Sequence, residues 1–174
     1  MRRVLVIGSG GSGKTTVATR LAEALQLPLV HLDALYWSEG WQPTAPEQWQ
    51  RTISELVQRD AWVMDGNYGG SLAARMSAAD TVVFLDIPRL TCLWRVLKRH
   101  IRYFGRSRPS MAPGCPERLT REFVGWIWKY PERRRPGILD RLAEAAERHK
   151  TVVVLRDDNE VERFLESLVR RAEA

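Results

Sequence analysis

At 174 residues, 44% of them hydrophobic, the chain is the size of one domain, residues 1–174, with one substantial core. Its two cysteines, Cys92 and Cys115, have neither metal-ligand spacing nor a pairing pattern. No apolar run approaches a signal-peptide core or the roughly 20 residues of a membrane span, so a cytoplasmic protein with reduced thiols is expected. The net charge of +6 is smaller than one local excess: Arg89, Arg95, Lys98, Arg99, Arg102, Arg106 and Arg108 lie within 89–108 with no acidic residue among them. One compact cluster suits a nucleotide at least as well as a long nucleic acid.

The first apolar run, 3–7, reads as a strand and leads into Gly8-Ser9-Gly10-Gly11-Ser12-Gly13-Lys14-Thr15, a complete G-x-x-x-x-G-K-[ST] phosphate-binding loop. Glycines let successive backbone N–H groups point inward, and the helix that follows adds the positive end of its dipole. ATP is the expected ligand. Lys14 is placed for its β- and γ-phosphates, the Thr15 hydroxyl for Mg²⁺, and Thr16 helps at the helix start. That helix carries Val17, Leu21, Ala22 and Leu25 on one face and ends before Pro28.

Strands are expected at 29–32 and 61–64, ending on Asp33 and Asp65, with a helix between them. Thr44-Ala45-Pro46-Glu47 reads as its capping box, and Trp49, Ile53, Leu56 and Val57 as its buried side. In a doubly wound sheet the carboxyl ends of adjacent strands flank the first loop, so both aspartates face the triphosphate. Asp65 is assigned to Mg²⁺ through water. Asp33 is assigned to orienting or deprotonating an acceptor hydroxyl, or to sharing the metal.

After a strand at 81–85, Asp86 reads as a helix cap. In the next helix Leu90, Leu93, Trp94, Leu97 and Ile101 are expected to be buried. Arg95, Arg99, Arg102 and Arg106 form an uncompensated row on the other side, suited to charge on a moving phosphoryl group. Residues 104–116 read as a mobile crossing rich in Gly, Pro, Ser and Arg. A helix over 117–130, with Leu119, Phe123, Trp126, Ile127 and Tyr130, closes at Pro131, and Arg133, Arg134 and Arg135 are positioned to approach the same phosphates. A helix over 137–149, a strand over 151–155 and a helix from 160, capped by Asp157-Asp158-Asn159, complete the chain. Of the seven tryptophans, Trp49, Trp62 and Trp94 are expected in the core. Tyr36, Trp37 and Trp41 either pack or stack on a planar acceptor. His31 reads as a strand residue. The five strand runs are almost unbroken by polar residues, the pattern of a parallel sheet covered on both faces.

His31-Leu32-Asp33-x-Leu35-Tyr36-Trp37 with Gly40-Trp41, Trp62-Val63-Met64-Asp65-Gly66-Asn67-Tyr68 and Arg108-Pro109-x-Met111-Ala112-x-Gly114-Cys115-Pro116-Glu117 resemble, with the loop, the small P-loop proteins called DNA topology modulation proteins. That family is similar in turn to adenylate and cytidylate kinases. The resemblance implies a three-layer α/β P-loop NTPase fold, with a five-stranded parallel sheet of order 2-3-1-4-5. It also implies an acceptor region like that of nucleoside monophosphate kinases and an arginine-bearing helical lid, placed at 103–136. Asp65-Gly66 matches the Asp-Gly pair that ends strand three of adenylate kinases; Asn67-Tyr68-Gly69-Gly70 replaces their Phe-Pro-Arg, and Arg75 is the nearest arginine. The expected function is transfer of the ATP γ-phosphoryl to a nucleotide, nucleoside or similar small acceptor, with Lys14, Asp33, Asp65, Arg95, Arg99 and Arg102 as catalytic residues. The alternative is a DNA-associated regulator that uses ATP as a switch. A simple NTPase ranks below both, because no water-orienting glutamate follows Asp65.

Overall fold

The computed structural model describes residues 1–172. Its strands are β1 (Arg3–Gly8), β2 (Leu29–His31), β3 (Trp37–Ser38), β4 (Gln42–Pro43), β5 (Trp62–Asp65), β6 (Thr81–Leu85) and β7 (Thr151–Leu155). Near-continuous Val, Leu and Ile runs cannot leave a face to water, and five of these strands form one parallel sheet, β2-β5-β1-β6-β7. Setting aside the small antiparallel hairpin β3–β4, this is the expected 2-3-1-4-5 order. The helices are α1 (Lys14–Leu25), α2 (Leu32–Tyr36), α3 (Pro46–Gln58), α4 (Gly69–Ala78), α5 (Arg89–Arg102), α6 (Arg121–Arg133), α7 (Arg135–Glu147) and α8 (Asp158–Ala172). α1, α5 and α8 cover one face of the sheet around Val17, Leu21, Val96 and Leu165. α3, α4 and α7 cover the other around Ile53, Met76, Leu142 and Trp62, and α6 contributes to both through Ile127 and Tyr130. The fold is a three-layer α/β sandwich.

Several local expectations are corrected. Thr44 does not cap α3: its hydroxyl donates to the carbonyl oxygens of Leu35 and Tyr36, so it ties α2 to the hairpin instead. Asp86 is not a cap either. Its carboxylate receives the Arg135 guanidinium through Nε and Nη2, and Arg135 does not line the cavity beside the phosphate loop. Pro131 lies inside α6 rather than ending it, and α6 starts at Arg121, where Thr120 accepts a hydrogen bond from the Phe123 N–H. The cap of α8 is confirmed, with Asp157 accepting from Glu160 N.

The largest reversal concerns α5. Leu90, Trp94, Leu97 and Ile101 face solvent, whereas Cys92 and Val96 are buried. Cys92 sits so close beneath the phosphate loop that a Cβ on Gly11 would lie 2.3 Å from the Cys92 carbonyl oxygen. The arginine side therefore turns inward and the apolar side outward.

Candidate active site

β1 and α1 are consecutive, and Gly13 joins them as the left-handed N-cap of α1 (φ 96°), a backbone state open to glycine. No side chain caps this helix and no acidic residue occupies its first turn, so its unpaired N–H groups remain for an anion. The Ser12 hydroxyl is buried without a hydrogen-bond partner among the described residues. Lys14 Nζ donates to Ser9 O at 2.8 Å. Burial pushes the Lys14 ammonium below its ordinary pKa, and Asp33 and Asp65 oppose that shift.

The register β1–β5 pairs Val6 with Asp65, which brings Asp65 level with the loop. Asp65 accepts from the Thr15 hydroxyl at 2.9 Å on one oxygen and meets His31 Nδ1 at 2.8 Å on the other. The bond to Asp65 raises the His31 pKa, against the effect of burial. Thr15 and Asp65 are thus a hydroxyl and a carboxylate already in contact beside the loop, a donor set that fits a Mg²⁺ shared with phosphate oxygens and water. Among the described residues no cluster of three or more His, Cys, Asp or Glu side chains could hold a metal alone.

A cavity of about 1130 Å³ opens from this point. Lys14, Thr15, Thr16, Asp65, Arg95 and Arg99 line it together with Asp33, Trp37, Trp41, Tyr68, Arg108 and Glu117. Arg95 donates to Ser12 O at 3.1 Å and pairs with Asp158. Arg99 Nε donates to Glu117 at 2.8 Å, and Arg108 Nε stands 2.7 Å from the other Glu117 oxygen. No further hydrogen bond is made by either guanidinium among the described residues. Desolvation lowers the Arg99 pKa and Arg108 adds to that, while Glu117 opposes both. Two members of the arginine row, Arg95 and Arg99, are therefore compensated by acids distant in sequence. Arg102 is corrected: it is exposed, leans over Tyr103 and is absent from the cavity wall, because it lies on the outward flank of α5.

Four further residues of the site had not been assigned roles. Tyr68 donates its hydroxyl to Asp33 at 2.7 Å, and burial together with that carboxylate holds the phenol well above its usual pKa. Asn67 clamps Gly8, its side chain donating to Gly8 O and accepting from Gly8 N. Arg75 is fully buried and donates to the carbonyl oxygens of Gly66, Asn67 and Tyr68; burial pushes its pKa down to about 10. It holds the turn from behind rather than contacting an acceptor. Glu117 is the fourth. Only Arg75 left a trace in the sequence, as a cation on the otherwise apolar Leu72–Met76–Ala79 side of α4.

No family model matches the chain. Among solved structures, shikimate kinase from Bacteroides thetaiotaomicron superposes with a TM-score of 0.58 at 16% identity, covering 99% of both chains. The fold is that of a P-loop kinase. A gluconokinase from Sinorhizobium meliloti 1021 agrees, with a TM-score of 0.55 at 19% identity, covering 99% of this chain and 94% of that one. Among curated proteins, a shikimate kinase from Corynebacterium jeikeium (strain K411) is 33% identical over 100 residues, 49% of this chain and 53% of that protein. The chain spans about half the length of that relative. No helix among the described residues is long and apolar enough to cross a membrane.

Proposed function

We propose that this P-loop kinase fold transfers the γ-phosphoryl group of ATP to a small nucleotide, nucleoside or similar hydroxyl- or phosphate-bearing acceptor. One observation carries the reading: Lys14, Asp33 and Arg99 line a single cavity, and Asp33 is close enough to act electrostatically on both cations. Asp33 accepts the proton of an acceptor hydroxyl as its oxygen bonds to the γ-phosphorus. The bond from that phosphorus to the β,γ-bridging oxygen breaks, and ADP leaves. Lys14, Arg95 and Arg99 supply positive charge where the moving phosphoryl gathers negative charge. Thr15 and Asp65 would hold Mg²⁺, which would supply neutralising charge to the phosphates. Tyr68 keeps Asp33 oriented. Residues 103–136 contribute Arg108 and Glu117 as the wall over the acceptor, the part proposed as a lid.

Shikimate kinase and gluconokinase relatives support a hydroxyl-bearing acceptor without naming one for this chain. The DNA-associated alternative drew on the basic cluster at 89–108, whose Arg95, Arg99 and Arg108 turn inward onto acids, so the geometry does not favour it. The deciding experiment incubates the protein with ATP·Mg²⁺ and a panel of nucleotides, nucleosides, sugars and hydroxy acids, reading ADP and phosphorylated product. An acceptor-dependent product is expected. Absence of acceptor-dependent ADP across the panel, in protein that binds ATP, sinks the reading.

A further inference from the structure

We propose that the outward face of α5 is the interface of a two-fold homodimer, antiparallel α5 against α5. Leu90, Trp94, Leu97 and Ile101 follow one another at spacings of four, three and four, and Phe104, just past the helix end, adds three more. This is the a/d alternation of a helix-packing seam, not a scatter of surface apolar residues. The five are 68, 56, 40, 69 and 74% exposed. Taking roughly 200 Å² for each full side chain, they leave on the order of 600 Å² of apolar surface in one strip. That reaches the top of the range soluble monomers leave in a single patch and approaches the ~800 Å² per partner of a stable interface. Core packing does not account for the strip, because the opposite side of the helix is already engaged through Cys92, Val96, Arg95 and Arg99.

What identifies the occupant is the area, since about 600 Å² on each of two copies meets the roughly 1,200 Å² total at the low end of specific interfaces. With a two-fold axis at Leu97, antiparallel pairing sets Leu97 on the partner's Leu97, Trp94 against the partner's Ile101, and Leu90 against the partner's Phe104. Every member of the strip meets another member, the self-complementarity a closed two-fold interface requires. Like charge is the one obstacle, and it is small. Lys98 and Arg102 flank the strip, the Lys98 ammonium turning back over the Trp94 ring of its own chain at 4.9 Å and the Arg102 guanidinium over Tyr103. An acidic helix or an anionic lipid surface would also meet Lys98 and Arg102, and the measurements below separate these occupants from a second copy.

Sedimentation of the full chain across the micromolar range tests this. The protein is expected at twice its 20.0 kDa mass, and Leu97→Glu and Ile101→Glu at 20.0 kDa with unchanged circular dichroism and ATP binding. Register is read by cross-linking with a short bis-maleimide. Lys98→Cys, beside the axis, is expected to link to its mate; Thr91→Cys, offset by roughly 18 Å along the axis, is not. A wild-type monomer throughout the range, a dimer that survives both glutamates, or equal linking at 91 and 98 each overturn the proposal. So does a monomer that co-sediments with phosphatidylserine vesicles, which would assign the face to lipid. None of these readouts depends on the phosphoryl-transfer reading.

Discussion

The two sides of the cavity are built by different means. The donor side, Gly8 through Thr16, is one continuous stretch whose backbone makes the site, held between β1 and α1. The part proposed to take the acceptor has no such stretch: Asp33 comes from α2, Tyr68 from the turn after β5, and Arg108 and Glu117 from the crossing between α5 and α6. Side-chain contacts such as Tyr68 to Asp33 and Arg99 and Arg108 to Glu117, with a few backbone bonds such as Gly40 N to Gly114 O, hold those pieces in register. A backbone-built site tolerates change around it and fails when its few reacting groups are lost, whereas a side-chain-built site fails when its braces are lost.

The strongest way to break that contrast is at Lys14. Lys14→Ala is expected to lower turnover on the order of 10³-fold or more while the melting temperature holds, because the ammonium is not a brace. Loss of fold instead would place the lysine among the structural parts. Glu117→Gln, on the other side, is expected to cost about 3 kcal/mol of stability in denaturant melts, since Arg99 and Arg108 lose their shared buried counter-charge. It is also expected to raise KM for the acceptor more than for ATP, and equal effects on both would dissolve the distinction. Tyr68→Phe removes one hydrogen bond to Asp33 and is expected to lower acceptor kcat/KM about tenfold, with ATP binding unchanged.

The smallest effect lies at the start of β1, the end of that strand opposite the phosphate loop. Asp80 is partly buried, which favours its neutral form, but the Thr81 hydroxyl and the N–H groups of Arg3 and Arg2 outweigh this and hold its pKa below the ordinary value. A depressed carboxylate contributes stability that is present above the unfolded pKa near 4 and lost as pH falls through the folded value. The stability gap between wild type and Asp80→Asn is therefore expected to shrink on acidification below about pH 4. A gap independent of pH would show that the carboxylate's charge does not anchor the start of β1.

What the sequence disclosed follows the same division. The loop, the five strands and the nearness of Asp65 to the loop were legible, because each rests on contiguous residues or on strand ends in a parallel sheet, while the strand order came only with the family resemblance. Glu117, Asn67 and Arg75 were not, because each acts on a partner whose proximity is set by tertiary folding or on backbone carbonyls. α5 misled for a physical reason. An apolar stripe of helical period says that a face will be covered, not by what, and here the core side of the helix is the one bearing arginines. Thr44 shows a related limit: a motif reports which bonds a side chain can make, and nearby carbonyl oxygens at Leu35 and Tyr36 outcompeted the helix end.

The crossing between α5 and α6 is stitched to the small hairpin. Gly40 N donates to Gly114 O at 3.0 Å, Trp41 Nε1 to Pro116 O at 3.1 Å, and Cys115 Sγ to Ser38 O at 3.0 Å, with Trp37 and Trp41 packed on Met111 and Ala112. A swing of 110–116 alone must tear these stitches, while a swing of crossing and hairpin together keeps them. The lower-cost motion thus drags the chain just beyond Asp33 along with the arginine-bearing wall, so an outward excursion would slacken the acceptor's seat and its roof in a single movement.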